Sequence, residues 1–484
     1  MFNNNERNLS LLVDFYELTM SNNFILDNKQ NEIACFDVFF RKIPDNGGYC
    51  IMAGLKQVIE YIENMYFSSD DINFLRKKNL FDEKFLEYLK NFKFSCDIYA
   101  IEEGFPIFPK EPIVTVKGPI LECLLIETML LLTLNHQILI ATKASRICTA
   151  SKNKKVLEFG ARRAQGYDGA IYGARAAVIG GCVGTSCTLA EHLFNIPSLG
   201  TMSHSWIQSF DCEYEAFKTW AKFSPKNCIL LIDTYNVLKS GLPNAIKVFK
   251  EMNLEPEKVG IRIDSGDITY LTKKVRSILN TEGFGKAKII VSNSLDEHII
   301  SNVLREGAEV DVFGVGERLI TSKSEPILGG VYKLCGIYND KNEFIPKIKI
   351  SENIEKITIS GYKTIYRIFD SSNHMAIADL ITNFNEEIDE TKPITLFDPT
   401  FTWKKKIVKN YYAVKLHKKI FENGKCIYNS PSVMEIQSIK NKELSKFWPE
   451  ITRIENPQIY YVDLSEELWK DNQDLLNKHS NNYI

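Results

Sequence analysis

The chain has 484 residues, which exceeds the size of one ordinary compact core and predicts two or three domains, or one large barrel with additions. Hydrophobic residues make up 44% and charged residues 25%, as is typical of globular proteins. The formal net charge is -2, from 59 basic and 61 acidic residues spread along the chain. This balance argues against a nucleic-acid or other polyanion binder, whereas small anionic substrates stay open, because a pocket needs only a few placed cations.

We expect no secretory signal, because the first residues lack a basic segment followed by a long apolar stretch. The most apolar region, Met129 to Ile140, is interrupted by polar residues such as Thr133 and Gln137, which predicts a buried helix rather than a membrane span. The 11 cysteines contain no C-x-x-C pair and no cluster with zinc-site spacing. Reduced, mostly structural thiols and a cytoplasmic location are therefore expected.

Residues 1–140 predict an N-terminal α/β lobe of helices and short strands. A helical pattern with apolar positions at Leu11, Phe15 and Leu18 leaves Tyr16 off the main apolar stripe. Tyr16 is either a core residue with a satisfied hydroxyl or an aromatic side chain offered to a planar ligand. The residues Ser68 to Asp71 predict a second helix start.

Residues 141–334 alternate short apolar runs with amphipathic stretches, which predicts repeated βα units. The spacing of about thirty residues suits a barrel or a doubly wound sheet, and we favour the barrel. After one run, Ile268, Leu271, Val275 and Ile278 form the apolar face of a helix. The predicted strands are Val156 to Phe159, Cys228 to Ile232, Val259 to Ile263, Ile289 to Val291 and Val310 to Phe313.

Polar residues follow several of these runs, where reactive groups collect in βα folds. Because strand side chains alternate, Arg262 and Asp264 share one face, which suits a carboxylate-binding cation beside a group that holds ribose hydroxyls or a metal. A purely structural pair, with Asp267 capping the next helix, is the alternative. His204 is either a hydrogen-bonded structural residue or a base or phosphoryl-carrying nucleophile. The other polar strand-end residues are Arg162, Arg163, Thr201, Ser203, Asp233 and Thr234.

Three glycine-containing loops have the character of phosphate sites: Gly180 to Ser186, Gly314 to Gly316, and Gly329 to Gly330. None matches the Walker or dinucleotide-binding pattern, so a tight turn or close packing is the alternative for each loop. Residues 335–484 are more polar and predict a mixed α/β domain that packs with the N-terminal lobe, with strands at Ile345 to Ile350 and Lys356 to Ile359.

The chain resembles the nicotinate phosphoribosyltransferases, members of the type II phosphoribosyltransferases, in one order over nearly its whole length. The resemblance implies an α/β fold, namely an irregular βα barrel with an additional α/β domain formed by the N- and C-terminal regions. It also implies a homodimer with a shared active site. The matching segments are LLVDFYELTM, FFRKIPDNGGYCIMAGL, EGFPIFPKEPIVTVKGP, LEFGARRAQGYDGA, GTMSHSW, LLIDTYNVLKSGLPNAI, IRIDSGD, VFGVGERLITS, LGGVYKL, PKIKISENIEKITISGYKTIYRI and ENPQIYYVDLS.

The family reaction converts nicotinate, phosphoribosyl pyrophosphate, ATP and water to nicotinate mononucleotide, pyrophosphate, ADP and phosphate, with ATP and Mg²⁺ as the implied cofactors. In the family ATP phosphorylates an active-site histidine, and the matching position in this sequence is His204. Thr201 matches a substrate-contacting residue, and Arg262 matches the arginine near the nicotinate carboxylate. Tyr16 matches an aromatic residue that stacks on the pyridine from the neighbouring subunit, and Thr321 falls in the motif that holds the phosphoribosyl group.

Asp264 is expected to act beside His204 and Arg262 in catalysis. Cations and Mg²⁺ near Arg162 and Arg163 would stabilise the leaving pyrophosphate, and the backbone at Gly314 and Gly316 would contribute to the phosphate site. No residue of the sequence is assigned as a metal ligand.

The chain departs from the family pattern at two places. Many members have a histidine two positions before the phosphorylated one, and here that place is Met202. Glu317 and Arg318 are bulkier and more charged than the small residues expected there. A nicotinamide phosphoribosyltransferase is the nearest alternative, but Met202 does not suit an amide and Arg262 suits a carboxylate. A quinolinate enzyme is usually much shorter, and a catalytically inactive nucleotide-binding relative is the alternative from another class.

Overall fold

The computed structural model describes residues 7–352 and 356–480. The chain divides into two compact units. The barrel unit comprises Leu139–Pro326 with Ser432–Gln437, and the terminal unit comprises Met1–Ile138, Ile327–Pro431 and Ser438–Ile484. The terminal unit is therefore built from both ends of the chain.

The N-terminal part of the chain contains six α-helices and five strands in its described residues. The helices are Phe15–Leu26 (α1), Leu55–Glu63 (α2), Ser69–Lys77 (α3), Glu83–Lys90 (α4), Ile120–Leu125 (α5) and Glu127–Ala150 (α6). The strands are Ile33–Phe40 (β1), Cys50–Ile51 (β2), Asp97–Ile101 (β3), Pro106–Ile107 (β4) and Val114–Pro119 (β5). The predicted helix start is confirmed, because Ser68 and Asp71 form a reciprocal capping box at the start of α3.

The central part alternates strands with helices, as the apolar runs predict. Its strands are Lys155–Glu158 (β6), Cys228–Leu231 (β7), Val259–Ile263 (β8), Lys288–Ser292 (β9) and Val312–Val315 (β10). Its helices are Gly166–Gly180 (α7), Thr188–Phe194 (α8), His204–Gln208 (α9), Glu213–Phe223 (α10), Leu242–Glu251 (α11), Ile268–Thr281 (α12), Glu297–Arg305 (α13) and Glu317–Ile320 (α14).

The C-terminal part is mostly strands. They are Gly330–Tyr338 (β11), Phe344–Pro346 (β12), Lys363–Asp370 (β13), Ala376–Asn383 (β14), Ile394–Phe397 (β15), Lys405–Val408 (β16), Tyr411–Lys415 (β17), His417–Glu422 (β18), Lys425–Cys426 (β19) and Val462–Leu464 (β20). The helices are Val433–Leu444 (α15), Pro449–Thr452 (α16) and Glu466–Ser480 (α17).

One strand prediction for this part is wrong and another is only partly confirmed. Lys356 to Ile359 forms no strand, and of the segment Ile345 to Ile350 only Ile345 and Pro346 lie in a strand, which is β12. The pairing of β12 with β11 ends at Pro346, and the described residues that follow have no partner strand. Their alternation of apolar and polar residues was therefore not enough to form a strand.

The barrel unit is organised around a parallel sheet in the order β6-β10-β9-β8-β7. Isolated parallel bridges extend it past β6, from Glu158 to Thr185 and from Thr185 to Ser198. The sheet is curved, because His204, which follows the bridged segment at one edge, contacts Thr234, which follows β7 at the other edge. The predicted α/β fold with an irregular barrel is confirmed. Strand side chains of this sheet form an apolar cluster of Leu157, Ile229, Ile290 and Val312, with Phe159 and Val183 packed against it.

Two sheets form most of the terminal unit. The seven-stranded sheet has the order β12-β11-β1-β5-β3-β18-β19, so three N-terminal strands lie in its middle with two C-terminal strands on each side. The four-stranded sheet has the order β17-β13-β14-β20, and Arg367 and Asp379 form a fully buried ion pair on its central strands. No helix among the described residues has the length and apolarity that a membrane crossing requires. No disulfide bond forms among the eleven cysteines, all of which lie in the described part of the chain, and seven of them are buried.

Helix α12 begins as predicted, with Asp267 at its N-cap. The Asp267 side chain accepts a hydrogen bond of 2.7 Å from the backbone N–H of Tyr270. Asp267→Ala should lower the free energy of unfolding by about 0.5–2 kcal/mol, because the helix start loses that acceptor. Urea unfolding of both proteins measures the difference. Asp267→Asn keeps an acceptor oxygen and serves as the control, and an equal loss in both variants would contradict the capping role.

Glu17 on α1 should make the stability of the protein depend on pH. Its side chain is 0% exposed, and burial together with the neighbouring charge of Glu127 raises its pKa from 4.5 to about 8. The folded state therefore holds the Glu17 proton more tightly than the unfolded state does. The resulting stabilisation is complete below the unfolded pKa of 4.5 and is lost as the pH rises through about 8.

We expect the free energy of unfolding to fall between about pH 5 and about pH 8, and to fall less steeply in Glu17→Gln, whose amide does not titrate. Urea unfolding of both proteins at the two pH values measures the slopes. Equal slopes would show that Glu17 is not protonated in the folded protein.

Candidate active site

The carboxyl ends of the five parallel strands meet at one edge of the sheet. In the register of β8 and β9, Ile263 is paired with Val291, so that Asp264 and Ser292 come level at the strand ends. The structure brings four predicted site residues into contact at this edge: Thr201, His204, Arg262 and Asp264.

His204 is the first residue of α9, and its imidazole lies between a hydroxyl and two carboxylates. Its Nδ1 is 3.1 Å from the Thr234 hydroxyl oxygen. Its Nε2 is 3.9 Å from Asp233 Oδ1 and 3.8 Å from Asp264 Oδ2. The two carboxylates favour the tautomer with the proton on Nε2, so that Thr234 donates its hydrogen to Nδ1. In this tautomer Nδ1 keeps the lone pair that a nucleophile needs, on a half-exposed imidazole.

Asp233 follows β7 and is held rigidly. Its Oδ2 accepts hydrogen bonds from the backbone N–H of Asp264 at 2.8 Å and from the Ser265 hydroxyl at 2.7 Å. Its Oδ1 is buried, and no group among the described residues donates a hydrogen bond to it. An oriented carboxylate with one open oxygen therefore points towards the imidazole of His204, 3.9 Å away.

Arg262 on β8 is fixed on several sides and is only 14% exposed. Its Nη1 donates to the Thr201 hydroxyl at 3.2 Å, its Nη2 donates to Asp264 Oδ1 at 3.0 Å, and its Nε donates to the Ser292 hydroxyl at 3.1 Å. The guanidinium carbon lies 5.8 Å from the centre of the Phe159 ring. A guanidinium held in this way is pre-organised for a planar anion.

Asp264 stays ionised under ordinary conditions. Burial acts to raise its pKa, but the hydrogen bond from Ser292 and the charge of Arg262 outweigh burial and bring the pKa below its usual value. The side chain of Met202 is buried, and its backbone carbonyl lies 3.5 Å from Arg262 Nη1. Met202 therefore contributes a backbone oxygen rather than its side chain to this cluster.

Glu158 at the end of β6 anchors the loop that carries the two predicted phosphate-site arginines. Its buried carboxylate accepts hydrogen bonds from the backbone N–H of Gly160 and, at 2.6 Å, from the Thr185 hydroxyl. Burial raises the pKa of Glu158. Arg162 and Arg163 lie in the short helical turn that follows, with both side chains exposed.

The glycines near the end of β10 permit close packing. Gly314 lies inside the strand rather than after it, which corrects the predicted loop position. A Cβ on Gly314 would lie 2.6 Å from the Phe159 ring, so glycine makes room for that ring. A Cβ on Gly160 would lie 2.7 Å from the carbonyl oxygen of Gly316, which brings these two loops together.

The unusual charges after Gly316 pair with nearby residues. Glu317 forms an exposed ion pair of 2.7 Å with Lys323, and Arg318 forms an ion pair with Asp296. The Thr321 hydroxyl donates to the Glu317 carbonyl at 2.7 Å, at the end of α14. The predicted phosphoribosyl contact of Thr321 stays a prediction.

Tyr16 belongs to the terminal unit, on α1, and is 48% exposed. Partial burial and the neighbouring carboxylates raise the pKa of its hydroxyl, so the phenol stays neutral. Its predicted stacking on a pyridine ring stays a prediction. Two contributors to the cluster were missed by sequence reasoning, Phe159 and Ser292, although both stand at the ends of predicted strands.

A parallel βα sheet whose strand ends hold an imidazole, two carboxylates and a fixed guanidinium is typical of an α/β enzyme. Three parts of the chain match one protein family. Residues 11–135 match the nicotinate phosphoribosyltransferase (NAPRTase) N-terminal domain, residues 154–358 match the nicotinate phosphoribosyltransferase (NAPRTase) family, and residues 362–472 match the nicotinate phosphoribosyltransferase C-terminal domain.

Relatives and a solved structure agree with this match. The chain is 43% identical over 463 residues to a nicotinate phosphoribosyltransferase of Bacillus subtilis, which covers 96% of this chain and 94% of the relative. It is 34% identical to a nicotinate phosphoribosyltransferase of Dictyostelium discoideum, over 95% of this chain and 87% of the relative. The crystal structure of human nicotinic acid phosphoribosyltransferase superposes with a TM-score of 0.83 at 26% identity, covering 96% of this chain and all of that chain. The chain belongs to the nicotinate phosphoribosyltransferase family.

Proposed function

We propose that this protein joins nicotinate to phosphoribosyl pyrophosphate, forming nicotinate mononucleotide and pyrophosphate for NAD biosynthesis, with ATP hydrolysis coupled through a phosphohistidine at His204. The observation that carries this proposal is the single cluster in which the His204 imidazole, the Asp233 and Asp264 carboxylates and the Arg262 guanidinium lie together. Family membership supports the reaction, and the geometry supports the roles proposed for these residues.

Arg262 binds the carboxylate of nicotinate. A guanidinium carries five N–H donors, and Arg262 makes four hydrogen bonds to protein acceptors, the longest of them at 3.5 Å to the Met202 carbonyl. The remaining donor and the positive charge favour a carboxylate, because a planar cation pairs well with a planar anion. Thr201 lies beside this position, and the Phe159 ring provides an apolar wall for the pyridine.

Asp264 stabilises the ribose during bond exchange. Breaking the C1–O bond of phosphoribosyl pyrophosphate places positive charge on the ribose and negative charge on the leaving pyrophosphate. The Asp264 carboxylate, ionised because its pKa is lowered, favours the cationic ribose. Arg162 and Arg163, which are exposed, together with the backbone near Gly314 and Gly316, are proposed to neutralise the leaving group. The pyridine nitrogen then attacks C1 without a protein nucleophile.

The carboxylates of the site suit a magnesium ion. Mg²⁺ in nucleotide enzymes is usually held by one or two carboxylates together with oxygens of the substrate. Asp233 Oδ1 is a buried carboxylate oxygen without a donor among the described residues, and Asp264 provides a second carboxylate beside it. We propose these two residues as the protein ligands. The ion would supply positive charge to the pyrophosphate oxygens.

His204 carries the phosphoryl group. The γ-phosphoryl group of ATP is transferred to Nδ1, the P–O bond to ADP breaks, and water later cleaves the N–P bond to release phosphate. The carboxylates of Asp233 and Asp264 stabilise the Nε2–H of the phosphorylated ring at 3.9 and 3.8 Å. One cycle of making and cleaving this bond couples ATP to tighter substrate binding.

A homodimer with a shared site is proposed from the resemblance and from the N-terminal surface. Leu12, Phe15 and Tyr16 are 40–48% exposed, which is an unusual concentration of large apolar side chains for one helix start. A second subunit would cover this surface and receive Tyr16 beside its pyridine site. The mostly buried cysteines, none of which forms a disulfide bond in the described residues, fit the proposed cytoplasmic location.

A substrate panel tests the proposal. Purified protein with Mg-ATP and phosphoribosyl pyrophosphate should convert nicotinate with kcat/KM about a hundredfold above that for nicotinamide, because the amide carries no negative charge to attract Arg262. Quinolinate should give no product. A preference for nicotinamide would show that the protein is a nicotinamide phosphoribosyltransferase. Nucleotide binding without turnover of any pyridine would show that it is a catalytically inactive relative.

A further inference from the structure

Ser292 joins two residues of the proposed site through one hydroxyl. It is the last residue of β9 and is 5% exposed. Its Oγ accepts a hydrogen bond from Arg262 Nε at 3.1 Å and donates its hydrogen to Asp264 Oδ1. The same Asp264 oxygen accepts from Arg262 Nη2 at 3.0 Å, which closes a ring of three side chains.

The directions of these bonds follow from the chemistry of the groups. A guanidinium only donates and a carboxylate only accepts, so the Ser292 hydroxyl must accept from Arg262 and donate to Asp264. The hydrogen bond from Nε to Ser292 restrains rotation of the guanidinium about its bond to the aliphatic part of the side chain. The hydrogen bond from Nη2 to Asp264 would not do so alone. Because β8 and β9 are adjacent parallel strands, the backbone fixes Ser292 at the height of Asp264.

We propose that Ser292 is a positioning residue that sets the plane of the Arg262 guanidinium, so that this planar cation faces the nicotinate carboxylate. The inference rests on the proposed function, because it assigns Arg262 to that carboxylate. Ser292 is assigned no contact with the substrate and acts through Arg262. Loss of the hydroxyl leaves Nε without its acceptor in a side chain that is mostly buried.

The variant Ser292→Ala should raise KM for nicotinate about tenfold or more, the loss expected for one hydrogen bond to a charged group. The KM for phosphoribosyl pyrophosphate should change by less than about threefold, and Ser292→Thr, which keeps the hydroxyl, should restore the nicotinate KM. Ser277→Ala is the matched control, because Ser277 is exposed on α12. An unchanged nicotinate KM in Ser292→Ala, or equal increases for both substrates, would overturn the proposal.

A double-mutant cycle separates positioning from a general loss of structure. Lysine at position 262 has no planar Nε–H group, so Ser292→Ala should add less than about twofold to the nicotinate KM of Arg262→Lys. A full tenfold effect in that background would show that Ser292 acts independently of Arg262. The native protein is measured in the same experiment. If the native protein forms no nicotinate mononucleotide, the proposed function is contradicted. If the native protein turns over and Ser292→Ala leaves the nicotinate KM unchanged, only the positioning role is contradicted.

Discussion

His204→Ala is expected to abolish the ATP-stimulated part of nicotinate mononucleotide formation and to reduce coupled ATP hydrolysis by more than about a hundredfold. The reason is that Nδ1 of His204 is the proposed phosphoryl acceptor, and alanine provides no nucleophile. The Asp233 and Asp264 carboxylates keep their other partners, Ser265, Ser292 and Arg262, so the surrounding site is expected to stay folded. A slow ATP-independent reaction should persist.

The measurement is the acid-labile phosphate bound to the protein after exposure to γ-labelled ATP, together with product formation. His192→Ala is the control, because His192 is an exposed histidine on α8 of the same unit. Native protein and the control should both carry labile phosphate. Labelling of the His204→Ala protein, or loss of labelling in the control, would contradict the assignment.

Arg262→Ala is expected to lower kcat/KM for nicotinate by about 10²–10³-fold, equivalent to about 3–4 kcal/mol, because the substrate carboxylate loses its buried cation. The effect should appear mainly in the KM for nicotinate. Arg262→Lys should recover only a small part of the loss, because a point charge cannot reproduce the planar contacts that Ser292, Asp264 and Thr201 fix.

Steady-state kinetics with nicotinate and nicotinamide measure this effect. The loss should be specific for the carboxylate, so the ratio of the two kcat/KM values should move towards one. Arg305→Ala is the control, since Arg305 is exposed on α13. An equal fall in kcat/KM for nicotinate and nicotinamide would instead indicate a structural role for Arg262.

The βα architecture was predictable because its signals are local. Apolar runs and helical periodicity placed all five strands of the barrel unit, and the caps at Ser68 and Asp267 lie where side-chain chemistry requires them. Alternation along β8 correctly placed Arg262 and Asp264 on one face. The strand prediction for Lys356 to Ile359 failed because an apolar alternation needs a partner strand to become one.

The support around the site was not predictable, because it depends on partners far away in the sequence. Ser292 is thirty residues from Arg262, and only the parallel register of β8 and β9 brings them level. The ring of Phe159 reaches the guanidinium because Gly314 leaves space on β10. The pairing of Arg318 with Asp296 likewise requires the fold. The positions of residues at the ends of predicted strands identified the candidate site residues, but they did not predict which side chains contact one another.

The most direct test of the central claim is nicotinate mononucleotide formation by the purified protein from nicotinate and phosphoribosyl pyrophosphate, with and without Mg-ATP. We predict that product forms, that Mg-ATP increases its yield, and that phosphate is released with it. Absence of nicotinate mononucleotide under both conditions would contradict the claim.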